Sequence, residues 1–262
     1  MGVLNCTPDS FSDGGRYQSE TSAIDHAIRM VRSGASIVDV GAESTRPGSP
    51  RIDAAEQIDR LAGVIRRLAA EGVLVSIDTT LPEVAEVALR DGARMINSVA
   101  LDAAEDLARL AKPYDADLCL MHSRGAMLTM QGFSEMSEDA YDDVVDCVWA
   151  EWTPARDAAV RAGLEPTNIF FDPGLGFHKN AKHSLTLTKR VGSFRGRGHP
   201  ILVGPSRKSF LVQGALVPPE QRVAATIAAC LLLADGGADV LRVHDVHEVK
   251  QALSFREATL DV

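Results

Sequence analysis

Eight short apolar runs recur along this chain of 262 residues, and they constrain its fold more than any other feature. Within each run the apolar residues are nearly continuous, which is typical of parallel strands that are buried on both faces. The predicted strands are Gly2–Asn5, Ser36–Val40, Val73–Ile77, Arg94–Val99, Asp117–Met121, Asn168–Phe171, Pro200–Val203 and Asp239–Val243.

Helical patterns occupy the stretches between these runs. Apolar residues recur at steps of three and four over residues 58–68, and Pro82 stands where the first turn of the next helix would begin. The longest connection, residues 123–163, predicts a loop and then a helix from about Glu138. We expect Pro154 to interrupt or kink that helix, because proline cannot donate a backbone hydrogen bond.

Eight strand-and-helix units without a break in composition indicate the α/β class, and they fit one (β/α)₈ barrel that spans residues 1–262 as a single domain. A doubly wound parallel sheet of the same length is the alternative. Its dinucleotide-binding form is disfavoured because no Gly-x-Gly-x-x-Gly turn follows the first run.

The composition excludes several classes of protein. With 45% hydrophobic and 24% charged residues, the chain is neither disordered, nor collagen-like, nor a coiled coil. The formal net charge of −9 argues against nucleic acid or an anionic membrane as a partner. No apolar run approaches the roughly 20 residues that span a bilayer, and the N-terminus lacks the pattern of a secretory signal.

The four cysteines point to a reducing compartment. Cys6, Cys119, Cys147 and Cys230 are far apart and form no Cys-x-x-Cys pair. We therefore expect buried, reduced thiols instead of disulfides or a zinc site, in a cytoplasmic protein.

Almost every predicted strand ends in a polar residue. A turn or a helix cap would explain any one of them alone. In a barrel, however, the carboxyl ends of all strands meet at one rim, which is where the active sites of barrel enzymes lie. These residues are Asn5, Glu43–Arg46, Asp78, Asn97, His122, Asp172, Ser206–Ser209, Arg242 and His244.

Three of the predicted loops carry distinctive chemistry. Asn5–Gly15 offers oxygen ligands for a hard cation or hydroxyls for a substrate. Glu43–Gly48 holds an arginine on a proline-stiffened turn, which suits phosphate oxygens. Val203–Phe210 passes through Ser-Arg-Lys-Ser into a predicted helix, whose first N–H groups would favour an anion together with Ser209.

Three further polar residues predict a heterocycle pocket. Asp78, Asn97 and Asp172 would converge inside the barrel, where carboxylate and amide groups suit a ring rich in N–H donors, such as an aminopyrimidinone. Lys208 could donate to the carbonyl of that ring. The residues thus predict a heterocycle pocket beside an anion and metal site.

Eight motifs occur in order over essentially the whole chain: MGVLNCTPDSFSDGG, VDVGAESTRPG, SIDT, INSV, LMH, FDPGLGF, GPSRKS and RVHDV. In these motifs the sequence resembles the dihydropteroate synthase family. The resemblance implies a TIM barrel that condenses 6-hydroxymethyl-7,8-dihydropterin pyrophosphate with p-aminobenzoate. The products would be pyrophosphate and 7,8-dihydropteroate, formed in folate biosynthesis by a dissociative mechanism.

The resemblance also implies a role for each matching residue. The pterin would be held by Asp78, Asn97, Met121, Asp172, Phe177 and Lys208. The p-aminobenzoate slot, which sulfonamides occupy in the family, would be formed by Thr45, Pro47, Phe177 and Ser209. Pyrophosphate would be bound by Asn5, Arg46, Arg242 and His244, with Asn5 also a ligand of the cofactor Mg²⁺. The catalytic set would be Asn5, Arg46, Asp78, Lys208, Arg242 and His244, in an enzyme that is a homodimer.

Three residues depart from the family pattern, namely Cys6, Ser98 and His178, the last of which stands where glycine is common. Three other functions remain open at the level of sequence. They are a pterin-dependent methyltransferase, a pterin-binding relative without turnover, and an aldolase that forms a Schiff base on Lys208.

Overall fold

The computed structural model describes residues 1–6, 15–42, 52–124, 136–213 and 215–260. Within these ranges, eight strands alternate with eight α-helices along the chain. The strands are β1 (Gly2–Asn5), β2 (Val38–Gly41), β3 (Val75–Asp78), β4 (Met95–Ser98), β5 (Asp117–Met121), β6 (Ile169–Asp172), β7 (Leu202–Val203) and β8 (Val240–Leu241). The helices are α1 (Gly15–Arg32), α2 (Ala54–Ala70), α3 (Pro82–Arg90), α4 (Ala104–Ala111), α5 (Val144–Arg161), α6 (Ala181–Lys189), α7 (Val223–Asp235) and α8 (Val246–Leu260).

The strands close into a barrel in the order of the sequence. Strands β1 to β6 form one parallel sheet, and β7 pairs with β8. Two bridges join these parts, one between Phe171 and Ile201 and the other between Gly2 and Val243. Across the second seam, the Val3 N–H donates to the Val243 carbonyl at 3.0 Å. The predicted (β/α)₈ barrel is therefore confirmed, and the doubly wound alternative is wrong.

The strand register brings the polar strand ends to one level. Asn5 pairs with Gly41, Gly41 pairs with Asp78, and Asp78 pairs with Asn97. Parallel strands bring equivalent ends together, so these side chains share one end of the barrel.

The predicted start of α5 is wrong, and the predicted interruption at Pro154 does not occur. The helix begins at Val144 and not near Glu138, because Asp143 caps it by accepting from the N–H groups of Val145 and Asp146 at 2.8 and 3.1 Å. Pro154 lies inside the helix and does not interrupt it. Beside it, Trp152 is fully buried and its Nε1 donates to the carbonyl of Leu120 at 2.9 Å. This packing against β5 outweighs the backbone bond that the proline removes.

Two further observations concern the cysteines and the helices. All four cysteines are free thiols, and Cys6, Cys119 and Cys230 are buried. The remaining one, Cys147, is half-buried. Among the described residues, no helix is both long enough and apolar enough to cross a bilayer.

Candidate active site

A cavity of about 440 Å³ opens at the carboxyl ends of the strands. Of the site residues predicted from the sequence, the structure brings ten together in its lining: Asn5, Asp78, Asn97, Met121, Asp172, Phe177, Lys208, Ser209, Arg242 and His244. The other three, Thr45, Arg46 and Pro47, lie outside the described residues.

His122 is the exception among the polar strand ends. It follows β5 as predicted, but its side chain is fully buried behind the cavity wall. There its Nε2 lies 3.0 Å from Glu151 Oε2, and its Nδ1 lies 2.9 Å from the Nζ of Lys179. Burial and the charge of Lys179 lower the pKa of His122 to about 4, so the ring is neutral at neutral pH.

A buried carboxylate on β2 organises the floor of the site. Asp39 has no exposed surface and accepts three hydrogen bonds. They come from Ser76 Oγ at 2.6 Å, from Asn97 Nδ2 at 3.0 Å and from Arg242 Nε at 2.6 Å. The predicted site did not include Asp39, although an ionisable residue within a buried apolar strand is a signal of such a role.

Arg242, from the loop after β8, reaches across the barrel to two carboxylates. Its Nη2 donates to Asp78 Oδ2 at 2.8 Å, in addition to the contact of Nε with Asp39. Burial alone would lower the pKa of Arg242, but the charges of Asp39 and Asp78 outweigh it and raise that pKa. The guanidinium thereby holds Asp78, a predicted pterin ligand, in a defined orientation.

Asp172, which is buried, and Lys208, which is half-buried, place opposite charges in the cavity lining. Burial raises the pKa of Asp172, while the charge of Lys208 and the N–H of Gly174, which donates at 2.7 Å, oppose this shift. Burial lowers the pKa of Lys208 to about 8, against the attraction of Asp172. Phe177 and Met121 supply the apolar wall beside them.

His244 is oriented by a neighbouring serine. The backbone N–H of His244 donates to Ser206 Oγ at 3.2 Å, and His244 Nδ1 lies 3.0 Å from the same oxygen. Because the hydroxyl accepts from the backbone, its own proton is available to Nδ1. When Ser206 donates this proton to Nδ1, the neutral ring of His244 carries its own proton on Nε2, which is then a donor.

The Ser-Arg-Lys-Ser segment does not lead into a long helix. A 3₁₀-helix of four residues, Ser209–Val212, follows it, and α7 begins only at Val223. The expected helix N-terminus with its dipole is therefore wrong. Instead, Arg207 has a positive φ of 61° and forms an ion pair with Asp245, while its carbonyl accepts from Arg222 Nη1 at 2.7 Å. Partners on distant elements thus determine this turn.

Asn5 is one of the described cavity residues with a side-chain oxygen that could hold a cation. Among the residues the structure describes, no cluster of three or more histidine, cysteine, aspartate or glutamate side chains could bind a metal ion. Magnesium usually binds through one or two protein oxygens, waters and substrate phosphates. Asn5 lines the cavity, and its side-chain amide oxygen would serve such an ion as a single protein ligand.

Residues 1–244 match the pterin binding enzyme family. The sequence is 42% identical to the dihydropteroate synthase of Mycobacterium leprae over 267 residues, which cover 99% of this chain and 93% of the relative. The chain belongs to the dihydropteroate synthase family.

Solved structures agree with this family assignment. A dihydropteroate synthase from Yersinia pestis in a sulfonamide drug complex has a TM-score of 0.90 and 36% identity, covering 100% of this chain and 94% of that chain. One from Clostridium difficile, in the presence of pteroic acid, has a TM-score of 0.88 and 37% identity, covering 99% of this chain and 95% of that one. The relative and both solved structures are dihydropteroate synthases, so they support the synthase and give no support to the methyltransferase alternative.

Proposed function

We propose that this chain joins 6-hydroxymethyl-7,8-dihydropterin pyrophosphate to p-aminobenzoate, as dihydropteroate synthases do, with the cavity residues in the following roles. One observation carries the proposal. A single cavity places the acceptor groups of Asp78, Asn97 and Asp172 beside the cationic Lys208 and Arg242. Such a cavity suits a substrate with a donor-rich ring at one end and an anionic group at the other.

The pterin ring would lie among the acceptors. Asp78 and Asp172 accept from N–H groups of the ring, and Lys208 donates to its carbonyl. Arg242 restrains Asp78 through the 2.8 Å contact, so the carboxylate need not reorient when the ring binds. Met121 and Phe177, which pack against each other, would give the ring an apolar surface to contact. The same carboxylates would stabilise the electron-poor pterin that forms during the reaction.

Pyrophosphate departs from the pterin methylene carbon in the chemical step. The C–O bond breaks and its electron pair leaves with pyrophosphate, whose developing charge is stabilised by Arg242 and by the Nε2–H of His244. Arg46 would add a second guanidinium. The amine of p-aminobenzoate then forms the C–N bond and releases a proton. Because the leaving group is good, this dissociative path needs no strong general base.

Magnesium is proposed as the cofactor, with Asn5 as its protein ligand. When bound, the ion adds positive charge at the departing pyrophosphate. Asn5 lies at the end of β1 in the cavity lining, on the rim that it shares with His244.

The p-aminobenzoate slot would lie between Phe177 and Ser209, with Thr45 and Pro47 completing it. Ser209 starts the short 3₁₀-helix in the cavity lining, where its hydroxyl can donate to the carboxylate of p-aminobenzoate. We expect Ser209→Ala to raise the KM for p-aminobenzoate by a factor that corresponds to roughly 1–3 kcal/mol, with little change in pterin affinity. Normal p-aminobenzoate kinetics with impaired pterin binding would reverse this assignment.

A homodimer is proposed from an apolar surface on α7. Ala224, Ala228 and Leu232 form an exposed stripe at steps of four residues, and Leu232 is 59% exposed. Phe255 on the neighbouring helix α8 is 74% exposed. A second copy of the chain could bury this surface symmetrically. Light scattering should then show a dimer that Leu232→Glu converts to a monomer, and a monomeric wild type would contradict the proposal.

The free thiols support a cytoplasmic location.

A pyrophosphate-release assay tests the activity. Steady-state release should depend on the pterin substrate and be accelerated by p-aminobenzoate, and a rate that p-aminobenzoate does not raise would refute the proposed condensation. Asp78→Asn should abolish pterin binding in calorimetry while the fold persists, because an amide mismatches half of the donor edge. Asp106→Asn, on an aspartate exposed on α4, is the matched control and should bind as the wild type does. Unchanged pterin affinity in Asp78→Asn would exclude the role given to Asp78.

A further inference from the structure

The Lys208 ammonium contacts the loop between β6 and α6 at two points. Its Nζ donates to the carbonyl of Leu175 at 2.6 Å and lies 4.5 Å from the centre of the Phe177 ring. The conformation of this loop therefore determines where the lysine presents its charge to the cavity.

A second lysine holds that loop against the end of β5. Lys179 has no exposed surface and does not line the cavity. Its Nζ lies 2.9 Å from His122 Nδ1, 3.3 Å from the carbonyl of His122 and 3.0 Å from the carbonyl of Phe177. These contacts use all three donors of an ammonium group. Burial lowers the pKa of Lys179 to about 7, so the contacts have to offset a large cost of desolvation.

The partner of this lysine is itself held in place. Since His122 Nδ1 accepts from Lys179, its Nε2 carries the proton and donates to Glu151 Oε2 at 3.0 Å. Arg124 fixes the same carboxylate through its Nε, at 2.9 and 3.2 Å, and stacks on Tyr141 at 3.7 Å.

The network then returns to the loop from its other side. Tyr141 donates its hydroxyl proton to the carbonyl of His178 at 2.9 Å. Consecutive carbonyls of the loop are thus restrained from two directions, that of Phe177 by Lys179 and that of His178 by Tyr141. Gly174 approaches β5 so closely that an added Cβ would lie 2.0 Å from the His122 carbonyl oxygen.

We propose that Lys179 is a positioning residue for pterin binding, which acts by holding the Leu175–Phe177 segment in the conformation that places Lys208. The inference rests on the proposed pterin site. It assigns Lys179 no contact with the substrate. The whole effect of Lys179 on pterin affinity therefore passes through the Leu175–Phe177 segment and Lys208.

A double-mutant cycle tests this mechanism. Calorimetry with 6-hydroxymethyl-7,8-dihydropterin pyrophosphate, without p-aminobenzoate, gives the Kd for the wild type, Lys179→Met, Lys208→Met and the double variant. We expect each single change to raise the Kd at least tenfold, and the double variant to bind no more than about twofold more weakly than Lys208→Met. Lys182→Met, an exposed lysine of α6, should stay within twofold of the wild type. If Lys179 had a purely structural role, independent of Lys208, the fold-increases in Kd of the two single variants would multiply in the double variant.

Two results would overturn this inference and leave the proposed function intact. One is a folded Lys179→Met variant whose Kd is within twofold of the wild type. The other is a double variant whose increase in Kd equals the product of the increases in the two single variants. Should Lys179→Met fail to fold by circular dichroism, Lys179→Gln, which keeps amide donors, takes its place in the same cycle under the same criteria. A wild-type chain that does not bind the pterin pyrophosphate overturns the proposed function and this inference together.

Discussion

Replacing the buried aspartate of β2 should damage both stability and the site. At present Asp39 Oδ1 accepts from Ser76 at 2.6 Å, and Oδ2 accepts from Asn97 at 3.0 Å and from Arg242 at 2.6 Å. In Asp39→Asn the negative charge is lost and one of these two oxygens becomes an NH₂ group that cannot accept, so at least one donor loses its acceptor. Breaking a buried ion pair costs about 3–5 kcal/mol. Arg242 keeps its contact with Asp78, so we expect a loss near the lower end of that range.

Urea unfolding followed by circular dichroism measures this loss. The matched control is Asp106→Asn, whose side chain is 68% exposed and lies 3.6 Å from Arg109. An exposed pair contributes no more than about 1 kcal/mol, so the control should unfold at nearly the wild-type urea concentration. We also expect kcat/KM of Asp39→Asn to fall at least tenfold, because two cavity residues lose their support. If Asp39→Asn costs less than about 1 kcal/mol, the carboxylate does not organise the floor of the site.

Two further predictions concern the loop glycines and the thiols. Gly174→Ala should destabilise the protein by several kcal/mol, because the φ of Gly174 is +66° and an added Cβ would meet the carbonyl oxygen of His122 at 2.0 Å. Gly196→Ala is the matched control, since its φ is +73° but no atom lies within 4 Å of an added Cβ. This control should cost only about 1–2 kcal/mol. Equal losses in thermal unfolding would show that the close approach to His122 is unimportant. In thiol labelling of the native protein at pH 8, we expect only the half-buried Cys147 to react quickly. Cys6 and Cys230 should react only on unfolding, since burial raises their pKa values to about 12, and fast reaction of all four thiols would contradict this packing.

The apolar runs predicted the barrel because burial on both faces leaves a mark in the sequence itself. β1 and β5 begin and end where the runs do, and α3 begins at Pro82, as the local rules for helix starts require. The cavity residues were predictable for a related reason. Parallel strands bring all their carboxyl ends together, so a polar residue at each strand end is enough to predict a shared rim.

The contacts between distant elements were decided only by the tertiary structure. Nothing local to His122 shows that it faces Lys179 and Glu151 behind the cavity wall. Likewise, Asp39 and Arg242 are 203 residues apart in the sequence and meet only because the barrel closes.

The sequence by itself determined the order of strands and helices and the end of the barrel at which the polar residues gather, but not the start of α5 or the short helix after Lys208. It did not determine which of those residues face the cavity, which are buried as partners, or that Pro154 is tolerated inside α5. Apolar periodicity and turn chemistry act over a few neighbouring residues, so the sequence records them directly. Ion pairs, hydrogen bonds and the packing of Trp152 depend on the distance between side chains that are far apart in the chain, and that distance exists only in the folded protein.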